Sequence, residues 1–187
     1  ITRPPRNLDE LLDYARKAAH TRADGTKVYG LTVPAAAGPF AVLSFLNAFG
    51  AVLTDQKLQV LANSPQMVKG LQTMHQLYKE GVLPPNYATL SIDEVITQMQ
   101  TGLSAMAFDP IARFTTYNDP KKSKYPGQIK VVPIPADGAE GRVVAMTEIW
   151  AFVVPKGSRN KQQAWSLVRE LSSPANTVRA ALNGNGP

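Results

Sequence analysis

Cysteine is absent from all 187 residues, so the chain has no disulfide, no thiolate metal site and no thiol nucleophile. Histidine is nearly as scarce: His20 and His75 are far apart in the sequence. Two distant histidines without cysteine leave only carboxylates as metal ligands, so we expect no metal site. We also expect no cofactor. The lack of cysteine does not identify a compartment, because it suits both the cytosol and an exported protein without disulfides.

Charged residues are also few, at 18% of the chain, and 20 basic against 14 acidic residues give a net charge of +6. Such an excess points to nucleic acid where it collects on one face and interleaves with aromatic residues. The one dense cluster, Lys121, Lys122 and Lys124, lies at a surface turn without that interleaving. We therefore expect no nucleic-acid partner.

No apolar run is long enough to cross a membrane. Residues 28–54 carry no charge, but Pro34, Gly38 and Pro39 interrupt them. A spanning helix needs about 20 continuous apolar residues. The pattern instead predicts a buried helix over residues 40–49, and no transmembrane segment.

Sequence motifs of common enzymes are missing as well. The chain has no G-x-S-x-G elbow, no phosphate-binding G-x-x-x-x-G-K-[ST] loop, no H-E-x-x-H helix and no G-x-G-x-x-G turn. This absence favours a binding role over a catalytic one.

Helices and short strands alternate along the chain, which predicts an α/β domain. Caps and apolar spacing predict helices over 8–19, 40–49, 65–80, 92–101, from 110 onward, 161–171 and 174–182. Strands are predicted over 28–33, 103–108, 129–134, 143–146 and 150–154, with a hairpin over 52–61. The strand over 150–154 is fully apolar, so we expect both of its faces to be buried.

Apolar spacing also predicts which helix faces point inward. For the helix over 65–80 the predicted core residues are Val68, Leu71, Met74, Leu77 and Tyr78. For the helix over 161–171 they are Ala164, Trp165, Val168 and Leu171.

Three junctions between elements share one construction: a buried strand ends, a short loop with little charge follows, and the next element starts at once. They lie at residues 33–40, 108–113 and 146–150. In open α/β sheets, ligands bind beyond the carboxyl ends of the strands, where such loops converge. The candidate solute-binding residues come from these junctions and are Ala37, Gly38, Phe40, Asp109, Ile111, Arg113, Thr147, Glu148 and Trp150.

The candidates offer complementary chemistry. Free backbone N–H groups at the helix starts suit ligand oxygens. Asp109 and Glu148 suit hydroxyl donors, while the rings of Phe40 and Trp150 suit the apolar face of a sugar. Structural roles stay open for Asp109, as a helix cap, and for Trp150, as a core residue. Glu148 precedes an apolar strand and has no structural role that the pattern explains, which favours binding.

Several stretches, in order along the chain, resemble family 1 extracellular solute-binding proteins of ABC transporters. The most specific is WAFVVPKGSRN at 150–160, followed by Ala164-Trp165 and by LSSP at 171–174. Weaker similarities are NLDEL at 7–11, NSPQ at 63–66, GVLPP at 81–85 and GLSAMAF at 102–108. The resemblance covers nearly the entire chain.

The resemblance implies a type II periplasmic-binding-protein-like α/β lobe, with a mixed sheet flanked by helices. Residues 1–187 are then one lobe of two, and the N-terminal lobe and C-terminal segments lie outside this chain. The implied protein is the substrate-binding component of an ABC importer and not an enzyme. It captures a small solute, most often a carbohydrate, in the cleft between lobes, closes, and delivers it to a membrane permease. The implied location is periplasmic or extracellular, with or without a lipid anchor.

Two positions depart from the family's pattern. Ile111 stands where the family often has a tryptophan that stacks on sugar, so that contact is absent here. Residues 146–149 replace a frequent Gly-Gly pair, and Glu148 adds a charge that suits an amino or other cationic group.

Two other function classes stay open. One is a small α/β hydrolase or transferase that uses Asp109 and Glu148 as paired carboxylates. The other is a ligand-sensing effector domain of a regulator, whose DNA-binding segment would lie outside these residues. A Glu148→Gln substitution separates the first from a receptor, because an enzyme loses turnover whereas a receptor loses affinity.

Overall fold

The computed structural model describes residues 1–36, 39–138, 140–147 and 151–183. The helices are α1 (Leu8–Ala18), α2 (Pro39–Ala48), α3 (Pro65–Lys79), α4 (Ile92–Thr101), α5 (Phe114–Tyr117), α6 (Lys161–Leu171) and α7 (Pro174–Leu182), with a 3₁₀ turn at Ile111–Arg113. The strands are β1 (His20–Thr21), β2 (Lys27–Val28), β3 (Ile134–Pro135) and β4 (Val143–Val144). The fold is α/β, as predicted, with helices around small sheets.

Helices α1, α3 and α4 each start at a side-chain cap. The side chain of Asn7 accepts from the N–H of Glu10 at α1, and Ser64 accepts from Met67 at α3. Ser91 and Glu94 form the predicted reciprocal capping box at α4. These bonds satisfy N–H groups that have no partner inside the helix, so local sequence places the starts of α1, α3 and α4.

The strands are shorter than predicted. β1 pairs with β2, and β3 with β4, each as an antiparallel pair of two-residue strands. The chain beyond β2 continues alongside residues 104–107 through isolated parallel bridges, Tyr29 to Ser104 and Thr32 to Ala107. The predicted strands over 28–33 and 103–108 are therefore neighbours, although most of their residues lie outside regular strands.

Gly30 sets the distance between α1 and this parallel pair. A Cβ atom at Gly30 would lie 1.7 Å from the carbonyl oxygen of Ala15. Only glycine allows this approach, which places the buried face of α1 directly on Leu31 and Val33.

The main core lies between α1, α2, α3 and these extended segments. Phe45 is fully buried and packs its ring 5.3 Å from that of Phe49 and 5.5 Å from that of Phe108. The core therefore reaches Phe108, the residue immediately before one candidate loop.

The predicted core face of α3 is only partly right. Met74 and Leu77 are buried as expected, but Val68, Leu71 and Tyr78 are exposed. The buried face instead runs through Met67, Gly70, Met74 and Leu77. Gly70 explains the difference, because a Cβ there would lie 2.7 Å from the side chain of Leu46. Helix α2 approaches α3 at that glycine, and spacing of apolar residues alone does not reveal such a contact.

The predictions for the C-terminal elements are wrong in a different way. Residues 151–154, predicted as a strand buried on both faces, form no strand, and Phe152 and Val153 are exposed. Helix α6 forms as predicted, yet Trp165 is 57% exposed and Leu171 is also exposed. Among the described residues no strand pairs with 151–154, and Val154 alone of these four is partly buried.

Of the predicted strand over 129–134, only Ile134 lies in a strand. Val131 and Val132 are exposed and outside any strand. Only Ile134 and Pro135 find a partner, in β4. The hairpin over 52–61 is confirmed, with Thr54 bridged to Val60 and the side chain of Asp55 accepting from the N–H groups of Lys57 and Gln59.

Candidate functional site

The parallel pairing brings two of the three candidate junctions to one edge. The N–H of Thr32 donates to the carbonyl of Met106 at 2.9 Å, and the N–H of Phe108 donates to the carbonyl of Thr32 at 3.0 Å. Parallel neighbours end on the same side, so the loops after Val33 and after Phe108 leave the fold next to each other. This is the arrangement that the sequence analysis expected of a ligand site.

A buried hydroxyl network holds this pairing from within. The Thr32 hydroxyl donates to Ser104 Oγ at 2.7 Å, and the Ser104 hydroxyl lies 2.9 Å from the carbonyl of Met106. The Thr32 hydroxyl also lies 3.2 Å from the side-chain oxygen of Gln98 on α4. Buried hydroxyls with partners of this kind specify one register, since a slip of the strands would leave them unsatisfied.

A third segment flanks the pair on its other side. The N–H of Gly30 donates to the carbonyl of Val82 at 3.0 Å, and that of Ala35 donates to Tyr87 at 3.3 Å. The Tyr87 ring packs at 5.7 Å from that of Tyr78 on α3. Residues 83–86 precede Tyr87, which the sequence analysis did not select as a candidate. The aromatic residue immediately after this proline-rich stretch was the available signal.

A groove of about 920 Å³ runs beside residues 104–108 toward the junction after Phe108. Its lining comes mainly from residues 104–111 and 128–134, together with Phe114 and Tyr117. The side chains of Arg22, Gln128 and Lys130 add hydrogen-bonding groups to a mostly apolar surface. A concave site with an apolar surface and a few polar groups is typical of small-molecule binding.

Asp109 lies at this groove, but its carboxylate is bonded inside the protein. One oxygen accepts from the guanidinium of Arg113 and the other from the hydroxyl of Tyr117. Only 5% of the Asp109 side chain is exposed. The predicted helix-cap role is wrong, because Pro110 occupies the cap position of the 3₁₀ turn and no side chain caps it.

The pKa of Tyr117 reflects this burial. Burial of the hydroxyl raises the pKa well above its usual range, and the charge and hydrogen bond of Asp109 raise it further. Tyr117 therefore stays neutral and remains a hydrogen-bond donor to Asp109 across the physiological pH range.

The remaining candidates fall into three groups. Ile111 lines the groove and is 67% exposed. Phe40 and Thr147 are exposed but are not among the residues that line the groove. Arg113 is not among them either, and its guanidinium pairs with the Asp109 carboxylate. Four candidates lie outside the described residues: Ala37, Gly38, Glu148 and Trp150.

Sequence reasoning missed Phe114 and Tyr117, which line the groove. Both lie within the predicted helix after Pro110, so their helical state was expected and their role was not. The spacing of Asp109, Arg113 and Tyr117, at i, i+4 and i+8, was the available signal, because residues four apart share a helix face.

Other functional features are limited in the described part of the chain. No helix there is both long and apolar enough to span a membrane. No group of three or more histidine, aspartate or glutamate side chains lies close enough together there to hold a metal ion.

Comparison with known sequences gives one family. Residues 1–178 match the sequence profile of a family described as bacterial extracellular solute-binding protein. A search of curated protein sequences finds no match.

Comparison with solved structures agrees. The maltose-bound MalE3 of T. maritima is 26% identical to this chain with a TM-score of 0.79, over 100% of this chain and 48% of that protein. A tagatose-bound ABC transporter solute-binding protein of Thermotoga lettingae is 25% identical with a TM-score of 0.73, over 99% of this chain and 46% of that protein. A ribitol complex from Agrobacterium radiobacter K84, 24% identical with a TM-score of 0.74 over 98% and 46%, shares the fold. The chain spans about half the length of these structures.

Proposed function

The chain belongs to the bacterial extracellular solute-binding proteins, and on that premise we propose that it is part of the substrate-binding component of an ABC importer for a carbohydrate or polyol. It binds its solute without turnover, outside the cytoplasmic membrane. Residues 1–187 contribute one lobe of a two-lobed receptor. The second lobe closes over the solute, and the closed form delivers it to a membrane permease.

The adjacent ends of the parallel segments carry this proposal. The bridge between Thr32 and Ala107 puts the segment that ends at Val33 beside the one that ends at Phe108, and the groove reaches Asp109–Ile111 after Phe108. Loops at such an edge form one side of a binding cleft. Maltose and tagatose in two of the similar structures support a solute rich in hydroxyl groups.

The two lobes close on the solute if the second lobe supplies the remaining contacts of the site. A solute that contacts both lobes has more contacts in the closed form, so it shifts the population toward that form. Only the differential contact energy drives the shift, which is why a receptor of this class needs groups on both lobes.

Binding to this chain is tested by saturation-transfer NMR, which detects contacts of low affinity, with maltose, tagatose, ribitol and mannitol. We expect transfer from the protein to at least one of these solutes, and stabilisation in a thermal melt by about 2.7 kcal/mol at 100 times its dissociation constant. Citrate, an anion, is the control for a merely charge-driven contact, since the chain carries a net charge of +6. Absence of transfer to all four solutes would contradict the proposal.

The hydrolase alternative loses support at Asp109. A general acid or base must reach the proton it transfers, whereas both Asp109 oxygens accept hydrogen bonds within the protein. The same NMR samples test the alternative directly. We expect the maltose signals to stay unchanged on long incubation, and the appearance of glucose would contradict a pure binding role.

A further inference from the structure

A second cavity, of about 570 Å³, lies between the end of α2, the start of α3 and the β3–β4 hairpin. It shares no lining residue with the groove beside residues 104–108. Its volume falls within the range of about 300–1,000 Å³ that small-molecule sites occupy. The lining includes three apolar side chains and three polar ones, namely Phe49, Val52 and Val144, and Asn47, Gln66 and Arg142.

Two backbone hydrogen bonds hold the hairpin side of this cavity in place. The N–H of Asp137 donates to the carbonyl of Ala48 on α2 at 2.7 Å. The N–H of Gly141 donates to the carbonyl of Arg6 at 3.1 Å. Because these bonds lie on both sides of the hairpin turn, they fix the backbone that carries Arg142 relative to α2, which supplies the opposite wall.

Arg142 is the one charged side chain lining this cavity that has no ionic partner in the described part of the chain. The other charged residue of the lining, Asp137, pairs its carboxylate with the ammonium of Lys69. The acidic side chain of the hairpin turn, Glu140, pairs with the guanidinium of Arg6 at 3.1 Å. No hydrogen bond joins the Arg142 side chain to any described residue. The cavity therefore presents one unbalanced positive charge.

Two amide side chains line the same cavity. Asn47 is half-buried in the last turn of α2, and Gln66 is exposed in the first turn of α3. Neither amide is hydrogen bonded to another described residue. An amide donates through its nitrogen and accepts through its oxygen, so both suit the hydroxyl groups of a ligand. The guanidinium of Arg142 suits a carboxylate, because it binds both carboxylate oxygens through parallel hydrogen bonds.

We propose that this cavity is a second ligand site of the chain, and that it takes a small hydroxycarboxylate of the sugar-acid type. The carboxylate pairs with Arg142, and the hydroxyl groups bond to Asn47 and Gln66. Val52 and Val144 contact the carbon chain. A carboxylate carries one charge, which matches the single free guanidinium, whereas a phosphate ester carries more charge than this cavity balances. The inference goes beyond the proposed function, because the groove takes no part in it.

The test is an NMR titration of the unsubstituted chain with D-gluconate. The matched neutral control is D-sorbitol, which has a CH₂OH group in place of the carboxylate. We expect gluconate to shift the side-chain signals of Arg142, Asn47 and Gln66, and sorbitol to bind about tenfold more weakly or less. Equal affinity for the two compounds would overturn the role of the carboxylate. Tighter binding of glucose 6-phosphate than of gluconate would overturn the choice of a carboxylate over a phosphate ester.

The contribution of Arg142 is measured with Arg142→Gln, which removes the charge and keeps a polar side chain. We expect gluconate affinity to fall about tenfold or more. Urea unfolding should show unchanged stability, because the Arg142 side chain has no partner within the described fold. Arg159→Gln is the matched control, since Arg159 is exposed and lies outside the cavity lining. An equal loss of affinity in both variants would show unspecific attraction to a basic chain and would overturn the site.

The outcomes separate this site from the proposed function. Citrate should also reach Arg142, so its saturation transfer should fall in Arg142→Gln while that of maltose stays unchanged. If gluconate shifts none of the three polar side chains, the second site is wrong and the solute-binding function stands. If Arg142→Gln abolishes the transfer to maltose, the cavity belongs to the solute site and is not a second one. If the chain binds gluconate at Arg142 and none of the four neutral solutes, the second site stands and the proposed function fails.

Discussion

Residues 8–136 and residues 151–183 both form helices with clear apolar faces, but only the first region buries them. Leu77 on α3 is 0% exposed, whereas Leu167 on α6 is 60% exposed. Both helices begin and end close to where the sequence predicts. The comparison shows that an amphipathic pattern determines which residues form a helix and leaves open what the helix packs against.

Neighbouring backbone explains the difference. In the first region α1 contacts the extended chain at Gly30, and α2 contacts α3 at Gly70. In the second region α6 packs against α7, and hydrogen bonds at Ser158, Ser173 and Asn176 connect residues of the same segment. The core of the first region should therefore be stable without the second.

A substitution at Gly30 gives the largest expected effect. Gly30→Ala places a methyl group 1.7 Å from a backbone carbonyl of α1, which cannot move without displacing the helix. We expect a loss of about 4 kcal/mol or more, or failure to fold, measured by urea unfolding. Gly157→Ala is the control in the second region, where nothing lies within 4 Å of the added atom, and its cost should stay within about 0.5 kcal/mol. Equal losses of unfolding free energy at Gly30 and Gly157 would contradict the difference in packing between the two regions.

A leucine truncated in each region gives the next largest difference. Leu77→Ala should reduce the free energy of unfolding by about 2–5 kcal/mol, because it removes buried apolar atoms and leaves a cavity. Leu167→Ala should change it by no more than about 0.5 kcal/mol, since the side chain is already in water. Chemical denaturation of both variants checks this, and a cost above about 1 kcal/mol at Leu167 would show that α6 is packed in solution.

Removing the second region tests the comparison as a whole. A chain that ends at Thr147 should unfold within about 1 kcal/mol of the full chain, a shift of about 2–4 °C in Tm. Calorimetry of both chains provides the measurement. A larger loss would mean that residues 148–187 support the core. The matching check is the NMR spectrum of the shorter chain, which should keep the dispersed signals of the Phe45 cluster.

Acid sensitivity gives the smallest expected effect. Hydrogen bonds from the Ser91 hydroxyl and N–H lower the pKa of Glu94, and those from Arg3 and Arg6 lower the pKa of Glu10. A lowered carboxylate pKa contributes stability above its usual range, and this contribution disappears as the pH falls through the lowered value. Glu94→Gln should therefore flatten the acid side of a Tm-against-pH curve. Ser91→Ala should flatten it partly, because the backbone N–H remains, and an unchanged slope in both variants would show that this capping box does not contribute.

The sequence predicts local features of this protein well. Asn7, Ser64 and Ser91 mark helix starts because a side-chain oxygen within three residues of a free N–H satisfies it, and the structure confirms each. The ordered motifs also indicate the family, which the profile match over residues 1–178 confirms. The candidate junctions were chosen by the same local reasoning, since a strand end, a loop and the start of the next element are adjacent in the chain.

Contacts that depend on how the backbone folds were harder to predict. The buried face of α3 depends on Gly70 meeting Leu46, and the partner of Asp109 depends on how the chain turns after Pro110. For Asp109 the sequence offered a cap or a ligand contact, and the structure shows a carboxylate bonded to Arg113 and Tyr117. A residue such as Asp109 can reach more than one partner, and only the packing of the folded chain selects one of them.

The sequence by itself determined the helices, the α/β class and the family, because these depend on caps, spacing and motifs that are local along the chain. Tertiary structure alone decided that Thr32 lies beside Ala107, that Phe114 faces the groove, and that Leu77 is buried while Leu167 is not. Burial and pairing are relations between segments far apart in sequence. They depend on which surfaces meet, and the order of residues along the chain does not show which surfaces these are.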